Sequence, residues 1–148
     1  KGDYFPSSKE LCYMLNVIFN QESVLQFFRE VTGHTKMQST ALYAYRTQET
    51  DRHALSWHQD LTDQRLFVIS INLSLSPYCE GQFAIRRKSD QREFLRISNS
   101  GVGDLILADI GVDLEHCTTK PVGPAPRLTI AGWGHGFTRF TVPSLRGS

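Results

Sequence analysis

One histidine and one aspartate lie two residues apart, at a spacing that suits a metal chelate. They are His58 and Asp60, in the segment Trp57-His58-Gln59-Asp60. Because side chains alternate between the two faces of a strand, residues at i and i+2 share a face and can bind one ion. The motif alone is weak, since this pairing also occurs by chance on surface strands. It therefore indicates a metal site only together with ligands from elsewhere in the chain.

A second histidine, far along the chain, offers the third ligand. His116 falls in the predicted strand Leu114–Thr118, after the predicted strand Leu105–Ala108 and its turn. Two imidazoles and one carboxylate on one face of an octahedron leave the opposite positions open, and this ligand set is typical of non-haem Fe(II) sites. We therefore predict that His58, Asp60 and His116 bind iron and form the catalytic centre, with room for O2 and an oxidisable co-substrate.

An arginine within an apolar strand indicates a pocket for an anion. Arg127 begins the predicted strand Arg127-Leu128-Thr129-Ile130-Ala131. A buried guanidinium is costly unless it is paired, and Thr129 on the same face adds a hydroxyl, so the two can hold a carboxylate. For an arginine considered alone, an internal salt bridge is the alternative. Trp133 shares this face and either closes the pocket or packs in the core, and His135 is expected at the pocket rim.

The elements that position these residues change from helical to strand-like near Met37. Apolar residues recur at helical spacing in the first part, where Ser7 is placed to cap one helix and Gly33 to end another. We expect one domain over residues 1–148, with helices within about 7–32 and a β core within about 37–142. The predicted strands are 41–46, 53–60, 66–75, 83–87, 93–98, 105–108, 114–118, 128–131 and 137–142. Short, evenly spaced strands without intervening helices predict a mainly β jelly roll or small barrel, with the N-terminal helices packed on its outside.

Charge and cysteine usage exclude several classes of protein. The 148 residues carry a formal net charge of +1, so nucleic acid and membrane surfaces are not expected partners. No apolar run reaches the length of about eighteen residues that a spanning helix needs. Three scattered cysteines favour a reducing, cytoplasmic location. No signal-peptide pattern is present, but secretion stays open because a signal could already have been removed. The chain begins at Lys1 rather than methionine, as expected of a processed form or of a piece of a longer protein.

Taken together, these residues resemble the Fe(II)- and 2-oxoglutarate-dependent dioxygenases, in the branch similar to the prolyl hydroxylases. The resemblance runs from about residue 43 to residue 133. It is carried by the segments His58-Gln59-Asp60, Ile71-Asn72-Leu73-Ser74, Glu80-Gly81-Gln82-Phe83, Gly103-Asp104-Leu105, His116, Arg127-Leu128-Thr129 and Gly132-Trp133. The family's usual Gly-Gly before the strand at Phe83 is Glu80-Gly81 here, and the stretch before Arg127 is rich in proline. Neither departure affects a ligand.

The resemblance implies a double-stranded β-helix and assigns roles to the matched residues. The three ligands bind iron, Arg127 binds the far carboxylate of 2-oxoglutarate beside Thr129, and Tyr43 or Tyr45 helps, with Tyr45 favoured. The implied reaction couples decarboxylation of 2-oxoglutarate to succinate and CO2 with oxidation of a C–H bond. Because Asp60 occupies the carboxylate position, hydroxylation rather than halogenation is expected. Fe(II), 2-oxoglutarate and O2 are the implied cofactors, with ascorbate as a supporting reductant.

Two other classes of function stay open on the sequence alone. A cupin-like barrel that binds a metal or a small ligand without oxidative activity would keep the metal ligands but would not need Arg127 in the pocket. A jelly-roll interaction module would make the motif at residues 58–60 incidental. The order and element type of four separate residues favour the oxygenase. Its substrate is expected to be a protein side chain or a small molecule, and the sequence does not predict an oligomeric state.

Overall fold

The computed structural model describes residues 9–48, 55–61, 64–76, 79–98 and 101–138. Within these ranges, two helices are followed by ten strands. The helices are α1 (Lys9–Phe19) and α2 (Glu22–Thr32). The strands are β1 (Ser39–Thr47), β2 (Leu55–His58), β3 (Arg65–Asn72), β4 (Cys79–Glu80), β5 (Phe83–Arg87), β6 (Glu93–Ile97), β7 (Leu105–Asp109), β8 (Leu114–Thr118), β9 (Pro121–Val122) and β10 (Arg127–His135).

The strands form two four-stranded antiparallel sheets and one short strand pair. One sheet has the order β1-β10-β3-β7 and the other the order β2-β8-β5-β6, while β4 pairs with β9. We call the first the larger sheet, because its strands are longer, and the second the smaller sheet. When the two-residue strands β4 and β9 are left out and the other eight are counted from the N-terminus, these orders become 1-8-3-6 and 2-7-4-5. Most connections therefore cross between the sheets, which is the strand order of an eight-stranded jelly roll.

The two sheets pack face to face over an apolar cluster. Val68 on β3 and Ile106 and Ala108 on β7 lie in one buried cluster with Phe83 and Ile85 on β5. Because β3 and β7 belong to the larger sheet and β5 to the smaller one, this cluster fills the space between them. We call the face of the larger sheet that carries Val68 its inner face.

Both helices contact the opposite, outer face of the larger sheet. Leu15 of α1 and Phe28 of α2 share a buried cluster with Phe67 and Ile69 of β3. Since Phe67 and Ile69 alternate with Val68 along the strand, this cluster lies on the other side of the sheet. The alternating burial of β3 therefore separates a helix-facing core from the core between the sheets.

Two asparagines of the first helical segment take the place of a neighbouring strand along one edge of β1. The Asn20 side chain accepts a hydrogen bond from the Thr40 N–H at 2.8 Å and donates to the Thr40 carbonyl at 3.2 Å. Asn16 repeats this pattern on Leu42, at 3.2 and 3.1 Å. Four residues of helix rise by about 6 Å and two residues of strand by about 6.7 Å, so amides at i and i+4 meet alternate strand residues. The backbone groups of an edge strand are thereby paired.

The end of α2 is confirmed, while the predicted start of α1 lies outside the described residues. Gly33 adopts a left-handed conformation with φ 74°, and its N–H bonds the carbonyl of Arg29. Glycine takes this conformation without the strain that a Cβ would cause. The residue predicted to cap α1, Ser7, is not among the described residues. Neither α1 nor α2 is long and apolar enough to cross a membrane, and the described ranges contain no other helix that could.

Most predicted strands occur within one or two residues of their expected bounds. β5 and β8 have the predicted bounds, and β10 extends past the predicted 128–131 to His135. The sequence does not predict β4 and β9, because two residues carry no readable period. Of the strand predicted at 137–142, residues 137 and 138 are not in a strand and the remainder lies outside the described residues.

Candidate metal centre and co-substrate pocket

The three predicted metal ligands lie close together. Ligand atoms of His58, Asp60 and His116 are all within 4.8 Å of one another. His58 on β2 pairs with His116 on β8, and the centroids of their rings are 4.4 Å apart. Directly paired residues of antiparallel strands face the same side of a sheet. Strand pairing thus brings together two histidines that are far apart in the sequence.

Asp60 reaches this site from a loop rather than from a strand. The sequence predicts a strand that continues through residue 60, but β2 ends at His58, and Gln59 and Asp60 follow without strand structure. Two hydrogen bonds of the Gln59 side chain hold this loop. The side chain donates to the Val112 carbonyl at 2.7 Å and accepts from Lys88 at 2.9 Å. The expected geometry of an i, i+2 pair on one strand is therefore wrong, although the carboxylate still lies beside the histidines.

The orientation of His58 is fixed by a backbone group. Its Nδ1 lies 2.7 Å from the carbonyl oxygen of Ser56. A carbonyl oxygen can only accept a hydrogen bond, so Nδ1 carries a proton, and in the neutral ring Nε2 holds the lone pair. A second hydrogen bond of this kind sets the tautomer and ring orientation of metal-binding histidines. His58 Nε2 is thus the atom that can bind a metal.

The Asp60 carboxylate is buried and held by several partners. Its Oδ2 accepts a hydrogen bond from Trp133 Nε1 at 2.6 Å and lies 3.3 Å from His116 Nε2. Its Oδ1 lies 3.1 Å from the Arg65 guanidinium. Burial by itself raises the pKa of Asp60, but the hydrogen bonds from His116 and Trp133 and the charges of His116 and His58 outweigh burial and lower that pKa to about 2. The carboxylate is therefore ionised, as a metal ligand must be.

The residues predicted to hold an anion lie on the inner face of the larger sheet. Arg127, Thr129 and Trp133 alternate along β10 without a register shift between them, and Trp133 pairs with the inner-face residue Val68. Arg127 is 6% exposed and Thr129 is 2% exposed. The Thr129 hydroxyl oxygen is buried and has no hydrogen-bond partner among the described residues. Because an unpaired buried hydroxyl is costly, this group is suited to accept a hydrogen bond from a ligand or to donate one to it.

Both candidate tyrosines lie on the face of β1 that continues this inner face. In the antiparallel register, Tyr45 pairs with Thr129 and Tyr43 pairs with Ala131. The Tyr43 ring lies 6.5 Å from the Trp133 ring and is 38% exposed, whereas Tyr45 is half-buried. The preference for Tyr45 over Tyr43 stays a prediction, with the geometric support that Tyr45 is the residue beside the unpaired hydroxyl.

Arg65 belongs to the site although the sequence gives no sign of it. Besides its contact with Asp60, its guanidinium carbon lies 3.7 Å from the centroid of the Trp133 ring. Strand alternation alone places Arg65 on the outer face together with Phe67, away from any predicted ligand. Trp133, in contrast, could be assigned to the site from the sequence, because its spacing from Arg127 puts both side chains on one face of the strand.

The sequence predicts His135 at the rim of the pocket, and the structure does not place it there. It is 0% exposed, and its ring centroid is 5.3 Å from that of Phe137. β10 continues through His135 instead of ending before it, and the residue is fully buried rather than exposed at an edge. Another histidine that the chain offers, His53, lies outside the described residues.

Two sheets in jelly-roll order make this fold similar to those of two solved structures. A solved oxidoreductase of the 2OG-Fe(II) oxygenase family from Burkholderia pseudomallei is similar to this chain, with a TM-score of 0.58 and 14% identity over 84% of this chain and 55% of that one. A Pseudomonas putida prolyl-4-hydroxylase is similar with a TM-score of 0.54 and 14% identity over 88% of this chain and 67% of that one.

The likeness to these structures concerns the fold. No protein-family model matches the chain, and no curated protein sequence matches it. The chain spans just over half the length of the Burkholderia protein. The fold is similar to that of a 2OG-Fe(II) oxygenase, and the chemistry depends on the residues of the site rather than on the fold.

Proposed function

We propose that this chain is an Fe(II)- and 2-oxoglutarate-dependent dioxygenase that hydroxylates a C–H bond of its substrate and releases succinate and CO2. The observation that carries the proposal is the cluster of His58, Asp60 and His116, whose ligand atoms lie within 4.8 Å of one another. Two histidines and one carboxylate are the ligand set of non-haem Fe(II) oxygenases. The fold, shared with a 2OG-Fe(II) oxygenase, supports the same assignment.

The donor set fits a catalytic iron better than a structural metal. A structural zinc site uses four protein ligands, whereas the group formed by the described residues has three, which leaves coordination positions open. Asp60 is ionised and so can bind without losing a proton, and the hydrogen bond to the Ser56 carbonyl turns His58 so that Nε2 is the nitrogen left for a metal. When bound, iron would supply the O2 chemistry, with 2-oxoglutarate as the source of electrons.

Arg127 and Thr129 fit the far carboxylate of 2-oxoglutarate. A guanidinium matches a carboxylate with two parallel hydrogen bonds, and Arg127 is buried on the same face of β10 as Thr129. The buried Thr129 hydroxyl, which lacks a partner among the described residues, adds a third group. Tyr45, opposite Thr129 in the register, is proposed to close this end of the pocket. These residues bind and orient the co-substrate.

The proposal is tested by following succinate formation from 2-oxoglutarate with Fe(II), ascorbate and O2. His58→Ala and Asp60→Ala should abolish turnover, because each removes one of three ligands. Arg127→Met should raise the KM for 2-oxoglutarate by about tenfold or more while the affinity for iron stays within about twofold, since its guanidinium is proposed to bind the co-substrate and is not one of the metal ligands. Arg86→Met is the matched control, because Arg86 lies on the far side of the smaller sheet, beside Glu115.

Three results would count against these assignments. If the His58 and Asp60 variants consume 2-oxoglutarate as fast as the parent, the site is wrongly placed. If the parent binds iron but neither binds nor consumes 2-oxoglutarate, the cupin-like alternative is favoured. Equal loss of iron and 2-oxoglutarate binding in Arg127→Met would assign Arg127 a structural role.

The substrate is proposed to be a protein side chain or a small molecule. One structural neighbour is a prolyl-4-hydroxylase, so a screen of substrate-stimulated succinate formation should include proline-containing peptides beside small metabolites. Free cysteines at Cys12, Cys79 and Cys117 support the proposal of a reducing, cytoplasmic location.

A further inference from the structure

We propose that Arg65 and Trp133 are positioning residues that hold the Asp60 carboxylate by different oxygens, so that Asp60 offers a metal one oxygen in a fixed direction. This inference rests on the metal site proposed above and extends it to two residues that do not themselves bind the metal. A strand irregularity, three contacts around the carboxylate and a matched group elsewhere in the fold support it.

A register shift between β3 and β10 turns Arg65 toward the site. Gly134 pairs with Phe67 and His135 pairs with Arg65, so Leu66 has no partner on β10. Leu66 and Phe67, although consecutive, both contact the helix-facing cluster on the outer face. An inserted residue of this kind is a β-bulge, which re-aims the side chains beside it and is common near functional sites. Arg65, which precedes the inserted residue, is thereby placed on the inner face.

The two residues contact different oxygens of one carboxylate. Trp133 Nε1 donates to Asp60 Oδ2 at 2.6 Å, and Arg65 Nη1 lies 3.1 Å from Asp60 Oδ1. Oδ2 is also the oxygen near His116, at 3.3 Å from its Nε2. One oxygen therefore points toward the histidines while the other is occupied by a guanidinium. A carboxylate held in this way is kept from turning both oxygens toward a metal.

The two holding groups also fix one another. The Arg65 guanidinium carbon lies 3.7 Å from the centroid of the Trp133 ring, within the range of a cation–π contact. The Arg65 side chain is 17% exposed and that of Asp60 is 10% exposed, so the pair is weakly screened by solvent. Tyr43 flanks another part of the indole, at 6.5 Å between ring centroids. The indole N–H and the guanidinium are thus pre-positioned before a metal arrives.

A matched group of the same residue types lies on the opposite side of the smaller sheet. The guanidinium carbon of Arg86 lies 4.5 Å from the centroid of the Trp57 ring, and Arg86 donates to Glu115 at 2.8 Å. Arg86 and Glu115 pair with one another and alternate with Ile85 of the inner core, so this group faces away from the candidate metal site. It combines an arginine, a tryptophan and a carboxylate, as Arg65, Trp133 and Asp60 do, and therefore provides the control.

The experiment measures the affinity of the chain for Mn(II) alone, by the electron paramagnetic resonance signal of the free ion. Trp133→Phe keeps an aromatic ring and removes the N–H, and Arg65→Met keeps the length and removes the charge. Each should raise the Kd for Mn(II) about tenfold or more, in the range seen when groups that orient metal ligands are removed. Arg65→Lys should recover part of the loss, since it restores charge without the planar fork. Arg86→Met should leave the Kd within about twofold of the parent, because its group does not face the site.

A second measurement separates positioning from general stability. The visible spectrum of bound Co(II) depends on its coordination, so a carboxylate freed to offer both oxygens should change the spectrum of Arg65→Met but not that of Arg86→Met. If Arg65→Met does not fold, Arg65→Lys and Trp133→Phe decide the question. The positioning role is overturned if these variants bind Mn(II) like the parent while Asp60→Ala does not. If Asp60→Ala also binds like the parent, the metal site itself is wrong.

Discussion

Replacing Asp60 by asparagine removes one negative charge from the centre of the site while keeping the shape of the side chain. The pKa of Asp60 is lowered from 3.8 to about 2 because the hydrogen bonds and charges around it outweigh its burial. Each pKa unit corresponds to about 1.4 kcal/mol, so the charged carboxylate contributes about 2 kcal/mol to the free energy of unfolding. With a side chain that is 10% exposed, little of this contribution is lost to screening by solvent.

The sign of the effect follows from the direction of the pKa change. Because the folded pKa lies below the unfolded value of 3.8, the contribution of Asp60 is fully present above about pH 4 and is lost as the pH falls toward about 2. Asparagine does not titrate. The difference in free energy of unfolding between the parent and Asp60→Asn should therefore shrink by about 2 kcal/mol between about pH 5 and about pH 2.

The assay is urea unfolding followed by tryptophan fluorescence in metal-free buffer, at steps of about one pH unit from about pH 5 down to about pH 2. Glu93→Gln is the control, because the pKa of Glu93 is also lowered, by a hydrogen bond from Arg96, but that ion pair is exposed and worth little. A gap between the parent and Asp60→Asn that stays constant over this range would refute the reasoning. It would mean that His116 and Trp133 do not hold the carboxylate in solution as they do in the structure.

Three further substitutions test the fold and the pocket. Asn20→Ala leaves the N–H and the carbonyl of Thr40 on β1 without partners, at about 1–3 kcal/mol each. Urea unfolding should therefore show a loss of at least about 2 kcal/mol in the free energy of unfolding, and a loss below about 1 kcal/mol would contradict the edge pairing. Gly132→Ala places a Cβ against the carbonyl oxygen of Ala41 and should lower the Tm by separating β1 from β10, whereas Gly101→Ala, which has room, should not. Thr129→Val removes a buried hydroxyl that has no hydrogen-bond partner among the described residues, so the ligand-free chain should be as stable as the parent or more so, while 2-oxoglutarate binding measured by calorimetry should weaken.

The sequence could predict those features that depend on regular alternation. His116 falls in a strand that the sequence predicts with its observed bounds, and the apolar neighbours of Arg127 mark it as buried. The jelly-roll class follows from many short strands with turns between them. For the same reason, Tyr45 and Thr129 could each be assigned to one face of their own strand. Only the strand register shows that the two residues pair. The information needed at these positions is local and periodic.

The features that the sequence could not predict arise where alternation breaks. A regular β3 would place Arg65 on the outer face, and the unpaired Leu66 reverses this assignment. Asp60 follows the end of β2 instead of lying within it, because the Gln59 side chain ties the loop to Val112. A bulge and a loop anchor depend on partners that are distant in the sequence, and no local pattern encodes either of them.

Together, the unpaired Leu66 and the loop position of Asp60 allow a single carboxylate to connect the two sheets. Trp133 and Arg65, which contact Asp60, belong to the larger sheet, whereas His116 belongs to the smaller one. Any relative movement of the sheets at this point must therefore stretch a contact of Asp60. A metal bound by His58, Asp60 and His116 would close the same connection and add its binding free energy to the stability of the fold. The site would then be assembled by the packing of the sheets and, once loaded, would hold that packing in place.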